Sequence, residues 1–217
     1  MKDLKYLAAF SIPLFAFIGL YFQGYWAWAT PVFAFLCIPV LELILPVDTD
    51  NFSETEVDSR LKQRVFDWLL YLNLPIVFGL VIYGLFIIDN NNIEAYEFVG
   101  LIFSVGIVLG INGINVAHEL GHRKSFFSRT CSKLLLMPSQ YMHFYIEHNF
   151  GHHVNVGTEN DPATAKYKQS LYNFWITSVI GQYISAWKLQ LKLLKISNQN
   201  FFSIKNDMIF YIIFQLS

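Results

Sequence analysis

The sequence predicts an all-α protein: a polytopic transmembrane helical bundle with a cytoplasmic histidine-rich helical cap, apparently truncated at its C-terminus. Three observations predict it. Only 14% of the 217 residues are charged, while 54% are apolar and 18% aromatic, whereas an ordinary soluble domain is about a quarter charged. The apolar residues fall in runs of roughly 20, the length a helix needs to cross a bilayer. All six histidines (His118, His122, His143, His148, His152 and His153) are confined to one short stretch after the fourth run.

The first run extends from Leu4 to Gln23. Lys2 and Lys5 ahead of it, with Ala27-Trp28-Ala29 beyond, imitate a secretory signal, but the run is long, aromatic and followed at once by a second. Trp26 to Pro46, Val65 to Ile88 and Tyr96 to Ala117 complete four predicted spans, and a fifth begins near Met208. Between Met1 and Pro46 the only charged residues are Lys2, Asp3, Lys5 and Glu42, too few to keep an exposed surface in water. Val47 to Ser59, with five acids, reads as a solvated loop. The whole chain, 1–217, is read as one membrane-embedded domain: four spans in 1–117, a histidine-bearing interfacial region in 118–205, and the start of a fifth span in 206–217.

Lysine and arginine in short loops favour the cytoplasmic side. Arg60, Lys62 and Arg64 precede the third span, and Arg123, Lys124, Arg129 and Lys133 follow the fourth, while Asp89 to Glu94 has none. An N-terminus inside the cell satisfies every loop and puts the histidines on the cytoplasmic side. Leu171 to Leu194, interrupted by Gln182, Lys188 and Lys192, is expected to lie at the interface. The net charge of −1 argues against nucleic acid as a partner. Cys37 and Cys131 match neither a disulfide framework nor a zinc-thiolate spacing.

His118 and His122 are four residues apart, which on an α-helix places them on one face at a spacing able to clamp a metal. His148 and His152 repeat the arrangement, and His153 follows directly, turned about 100° from His152 on a helix. Adjacent histidines pointing apart can serve two metals. His143 stands outside the pairs and reads as an ordinary hydrogen-bonded histidine. Asn112 and Asn115 read equally as groups orienting the imidazoles or as interhelical hydrogen-bonding groups. Gly106, Gly110 and Gly113 are expected to admit a neighbouring helix, and Glu119 and Glu147 to support or cap.

Imidazole suits zinc, copper, iron and nickel alike. HELGH at 118–122 also matches the zinc-protease signature H-E-x-x-H, so an intramembrane zinc protease is a rival. That reading gives no reason for His148, His152 and His153 to recur at metal-binding spacing.

NVAHELGHRK at 115–124 and HFYIEHNFGHH at 143–153, followed by Asp161-Pro162-Ala163, resemble the first two histidine boxes of the membrane alkane 1-monooxygenases, within the membrane fatty-acid desaturase/hydroxylase superfamily. The resemblance covers roughly Tyr96 to Leu194. It implies two non-haem iron ions held mainly by histidines, with His118, His122, His148, His152 and His153 contributing. It further implies dioxygen as oxidant, electrons from rubredoxin and rubredoxin reductase, hydroxylation of the terminal methyl of a medium- or long-chain alkane, and a multi-pass bacterial plasma-membrane location. Near alternatives are hydroxylation of aryl methyl groups or fatty-acid chains, and lipid desaturation.

Phe150 and the stretch Gly157-Thr158-Glu159-Asn160 depart from the family's pattern, which touches substrate preference more than metal binding. Asp161 and Pro162 read most simply as a turn or helix entry. Five histidines do not saturate two irons, so the chain is expected to be a fragment, inactive alone, with the remaining donors beyond Ser217.

Overall fold

Proline placement explains how the apolar runs break into helical pieces. The computed structural model describes residues 2–45, 63–90 and 92–216, and every regular element among them is helical. The Val47 to Ser59 loop, with Arg60 and Lys62, lies outside the described residues. Two compact units are formed, Met1–Val116 and Ala117–Ser217.

In the first unit, a 3₁₀ turn, Lys2–Phe10, leads into α1, Ser11–Phe22. Gln23 and Gly24 then take positive φ, 54° and 53°, and turn the chain. The apolar helical part of this segment, Tyr6–Phe22, is therefore shorter than the full span expected from Leu4 to Gln23. Among the described residues, three helices are long and apolar enough to cross a membrane: α2 (Gly24–Ile44), α3 (Arg64–Asp89) and α4 (Ala95–Gly121). Phe35, Leu36, Leu43 and Ile44 of α2 are exposed, an arrangement that suits lipid as solvent.

Proline has no N–H to give the carbonyl four residues earlier. In α2, Pro39 lacks the donor for Phe35, and the turn around that residue, Phe33–Cys37, is π-helical. In α3, Pro75 lacks the donor for Tyr71, and the helix is interrupted at Leu72. Pro31 gives nothing to Ala27, whose carbonyl instead accepts from Ser104 Oγ of α4 at 2.8 Å.

Trp28 lies flat against α4 at Gly100, where a Cβ would come within 2.9 Å of the indole, and its Nε1 donates to the Tyr96 carbonyl at 3.0 Å. The close approach thus occurs at Gly100. Nothing among the described residues lies within 4 Å of a Cβ built at Gly106 or Gly110, so the helix contact expected at those two glycines is not made there. Asn112 Nδ2 donates to Asn73 Oδ1 of α3 at 2.8 Å and to the Ala9 carbonyl at 3.1 Å. Of its two readings, interhelical hydrogen bonding is the one seen.

The second unit begins with the last turn of α4 and continues with α5 (Phe126–Leu136), α6 (144–155), α7 (Leu171–Ile196) and α8 (Asp207–Leu216). Leu120, Cys131, Leu135, Leu136, Ile146, Ala186 and Met208 form its buried core. Ser132 Oγ of α5 donates to the Ala117 carbonyl at 2.6 Å and lies 3.1 Å from where a Gly121 Cβ would stand. Lys133 Nζ pairs with Asp207 Oδ2 at 2.7 Å, between the rings of Tyr145 and Tyr211. These contacts hold the last turn of α4, α5 and the start of α8 around α6.

Candidate metal centre

His118 and His122 project from the last turn of α4, and His148 and His153 from α6. Their imidazoles converge: Nε2 of His122 lies 3.0 Å from that of His118, 3.1 Å from that of His148 and 3.4 Å from that of His153, and the His148 and His153 Nε2 atoms are 3.1 Å apart. All four donor atoms lie within 4.8 Å of one another. Four nitrogens held tetrahedrally at the usual 2.0–2.1 Å from a metal stand about 3.3 Å apart. The donor set fits a transition-metal cation.

His152 is not among the four. An α-helix would pair His148 with His152, one turn on, but His148–His152 is π-helical. A π turn closes on i+5, so the residue sharing the direction of His148 is His153. His152 instead stacks beside His148, ring centroids 5.3 Å apart, and places its Nδ1 3.0 Å from Asp161 Oδ2. Another π turn, Leu109–Asn115, lies in α4 ahead of His118.

Asp161 is 3% exposed. Its carboxylate also accepts from Thr164 Oγ1 and, at 2.9 Å, from the Ala163 N–H. Burial pushes this carboxyl up, but those hydrogen bonds and the neighbouring His152 outweigh it and hold it below its ordinary range. The turn read from the sequence is present, since Asp161 Oδ1 bonds two residues on. Its second role, fixing an imidazole nine residues away, has no local spacing by which the sequence could announce it. An imidazole that donates Nδ1–H to a carboxylate has Nε2 oriented and made more basic as a ligand.

Burial, joined by the neighbouring imidazoles, lowers the pKa of His148 to about 3. Glu147, 1% exposed, belongs to α6 and accepts from Ser185 Oγ of α7 at 3.3 Å, and burial followed by the charge of Asp161 raises its pKa. A Cβ on Gly151 would come within 2.6 Å of Glu147 Oε1 and 2.9 Å of Leu189 Cδ1, so a side chain there would require both of those groups to shift. Glu119 is hydrogen-bonded to Arg123 at 3.3 Å.

His143 differs from the expected hydrogen-bonded histidine. It is buried edge-on to the rings of Tyr141 and Tyr183, with no hydrogen-bond partner for either nitrogen among the described residues. Burial lowers its pKa to about 4.

The fatty acid desaturase family model matches residues 95–216. The chain is 33% identical to alkane 1-monooxygenase 1 of Alcanivorax borkumensis over 91% of its own length and 50% of that protein. It is 34% identical to an alkane 1-monooxygenase of Pseudomonas putida over 79% of its own length and 42% of that protein. Against the hydroxylase component XylM of the Pseudomonas putida xylene/toluene monooxygenase it is 30% identical, over 98% and 56%. The chain spans about half the length of the curated relatives it matches. The histidine-bearing half of the molecule is thus the part the family model covers, and the chain belongs to the fatty acid desaturase family.

Proposed function

We propose that this protein is part of a membrane monooxygenase that hydroxylates the terminal methyl of a medium- or long-chain alkane, using dioxygen and electrons supplied by rubredoxin and its reductase. The observation that carries the proposal is the convergence of four imidazoles, whose donor atoms all lie within 4.8 Å of one another, in a chain similar to alkane 1-monooxygenases. His118, His122, His148 and His153 would hold one iron, and His152, with Nδ1 committed to Asp161, would offer Nε2 to a second. An alkane has no acidic proton or leaving group, so its C–H bond must yield to an oxidant that the iron centre supplies from dioxygen.

The chain's own residues set the conditions for that chemistry. Burial keeps His148 from protonating, so its ring presents a lone pair. Asp161 fixes the orientation of His152, and Thr164 and the Ala163 N–H fix Asp161. The buried Glu147 and Ser185 hold α6 to α7. Apolar helices provide a medium in which an alkane dissolves and from which it can reach the histidines. The positive loops support a cytoplasmic side for the histidines and the N-terminus in a bacterial plasma membrane, where a soluble electron donor would reach them.

Similarity to XylM over 98% of the chain supports one second reading, hydroxylation of an aryl methyl group. The zinc-protease reading needs a coordination position left open for water, whereas four imidazole donors converge here. Membranes carrying the full gene product, supplied with rubredoxin, its reductase and dioxygen, should convert octane to 1-octanol, and the purified protein should contain iron. Oxidation of xylenes but not alkanes would replace the substrate, and active protein holding zinc without iron would overturn the reading.

A further inference from the structure

Helix α7 is inverted with respect to a water-facing helix. Ser178 and Gln182 are buried and bonded, Gln182 Nε2 to Ser178 Oγ and Gln182 Oε1 to Tyr141 OH, both at 2.8 Å. Trp175, Ile176, Val179, Ile180, Tyr183 and Ile184 are all exposed. Their alternating steps of one and three form a continuous apolar stripe along the helix. No charged residue interrupts 171–187, and then Lys188, Lys192 and Lys195 follow on the exposed surface of the last three turns.

A second observation identifies what covers the stripe. From Pro162 to Asn206 the chain has six lysines and no aspartate or glutamate. A surface that joins an apolar stripe to uncompensated positive charge is complementary to a bilayer with anionic headgroups, where apolar side chains enter the acyl boundary and lysines reach the phosphates. A second copy of the chain would oppose this surface with the same acid-free segment.

We infer that α7 lies in the plane of the membrane, with the Trp175–Ile184 stripe inserted among the acyl chains and Lys188, Lys192 and Lys195 bound to anionic lipid phosphates. This surface is separate from the metal ligands and independent of the substrate assigned above. Gln182 and Ser185, on the opposite face, join the bilayer-bound helix to Tyr141 and Glu147 of the histidine-bearing segment.

The test uses nitroxide labels on single cysteines replacing Val179, Ile180 or Lys192, in the protein with Cys37→Ala and Cys131→Ala. The protein is reconstituted in phosphatidylcholine vesicles with and without phosphatidylglycerol. Labels at 179 and 180 should collide with oxygen more than with a water-soluble nickel chelate, and the label at 192 should show the reverse. Phosphatidylglycerol should move the 179 and 180 labels deeper, a shift lost in Lys188→Gln/Lys192→Gln/Lys195→Gln. Nickel access at 179 and 180 would put the stripe in water. Low access to both reagents would put it against a protein. Either result overturns the inference, and a depth that ignores phosphatidylglycerol overturns its anionic part.

Discussion

His148 and His153 are five residues apart, yet their Nε2 atoms lie 3.1 Å from each other, because the backbone between them takes a π turn. In an α-helix, residues five apart diverge by about 140°. The metal-binding geometry is therefore a property of one irregular turn as much as of the imidazoles it carries.

That turn depends on Gly151. In Gly151→Ala the new methyl would collide with Glu147 Oε1 and Leu189 Cδ1, forcing α6 away from α7. Overpacking of this kind costs about 1–3 kcal/mol. The variant should unfold at lower denaturant concentration and retain less iron, as read by denaturation of the purified protein and by metal analysis.

Removal of a ligand should act on metal before anything else. In the full gene product, His118→Ala, His122→Ala, His148→Ala and His153→Ala should each abolish turnover and lower the iron content. His152→Ala should do the same through the second ion. His143→Ala should leave iron bound, since its nitrogens contact none of the others. Intact iron content in four of the five ligand variants would remove these histidines from the site.

Asp161→Asn keeps the shape of the side chain and removes its charge. Loss of a carboxylate that orients a ligating imidazole typically weakens metal binding by about 10–100-fold. Chelator competition should therefore strip iron from Asp161→Asn at lower chelator concentration than from the parent. Thr164→Val, which removes one hydrogen bond to the carboxylate and the acceptor of the Gly157 N–H while leaving the carboxylate itself in place, should show a smaller shift in the same direction.

The burial of His143 sets a pH dependence. Its pKa is about 4 in the fold and about 6.5 when unfolded, so below pH 6.5 the unfolded chain binds a proton that the folded chain refuses. Stability should then be constant above pH 6.5, fall as the pH drops toward 4, and level off below that. The slope within the window is at most one proton, about 1.4 kcal/mol per pH unit. His143→Phe should flatten the decline by that amount, measured as unfolding midpoints between pH 7 and pH 4.

Membrane orientation is testable by fusion. A reporter joined after Lys124 should be cytoplasmic and one inserted at Ile93 should face the other side. The reverse pattern would place the histidines away from a cytoplasmic electron donor.

The apolar runs, their order and the six clustered histidines were legible because each rests on composition and on regular periodicity. The sequence also marked His118 and His122, where the α-helical four-residue rule holds. What it did not show was local departure from that rule. The π turn pairs His148 with His153 instead of His152, and Pro39 and Pro75 reshape α2 and α3. Gly100 takes the close contact expected at Gly106 and Gly110 because Trp28 happens to lie over it. Asp161 reaches His152 across a loop, and no short-range spacing encodes such a contact.

His122, His148 and His153 place their Nε2 atoms at the corners of a triangle with sides of 3.1, 3.1 and 3.4 Å. A neutral imidazole nitrogen either carries a hydrogen or offers a lone pair. Three corners with two possible states cannot all differ from one another, so one side of the triangle must oppose hydrogen to hydrogen or lone pair to lone pair. No choice of tautomers escapes this odd-numbered parity. A cation that takes a lone pair from every corner does escape it, because all three rings then adopt the same tautomer with the hydrogen on Nδ1. Three Nε2 atoms so arranged are satisfied together by a shared cation and by no set of pairwise hydrogen bonds.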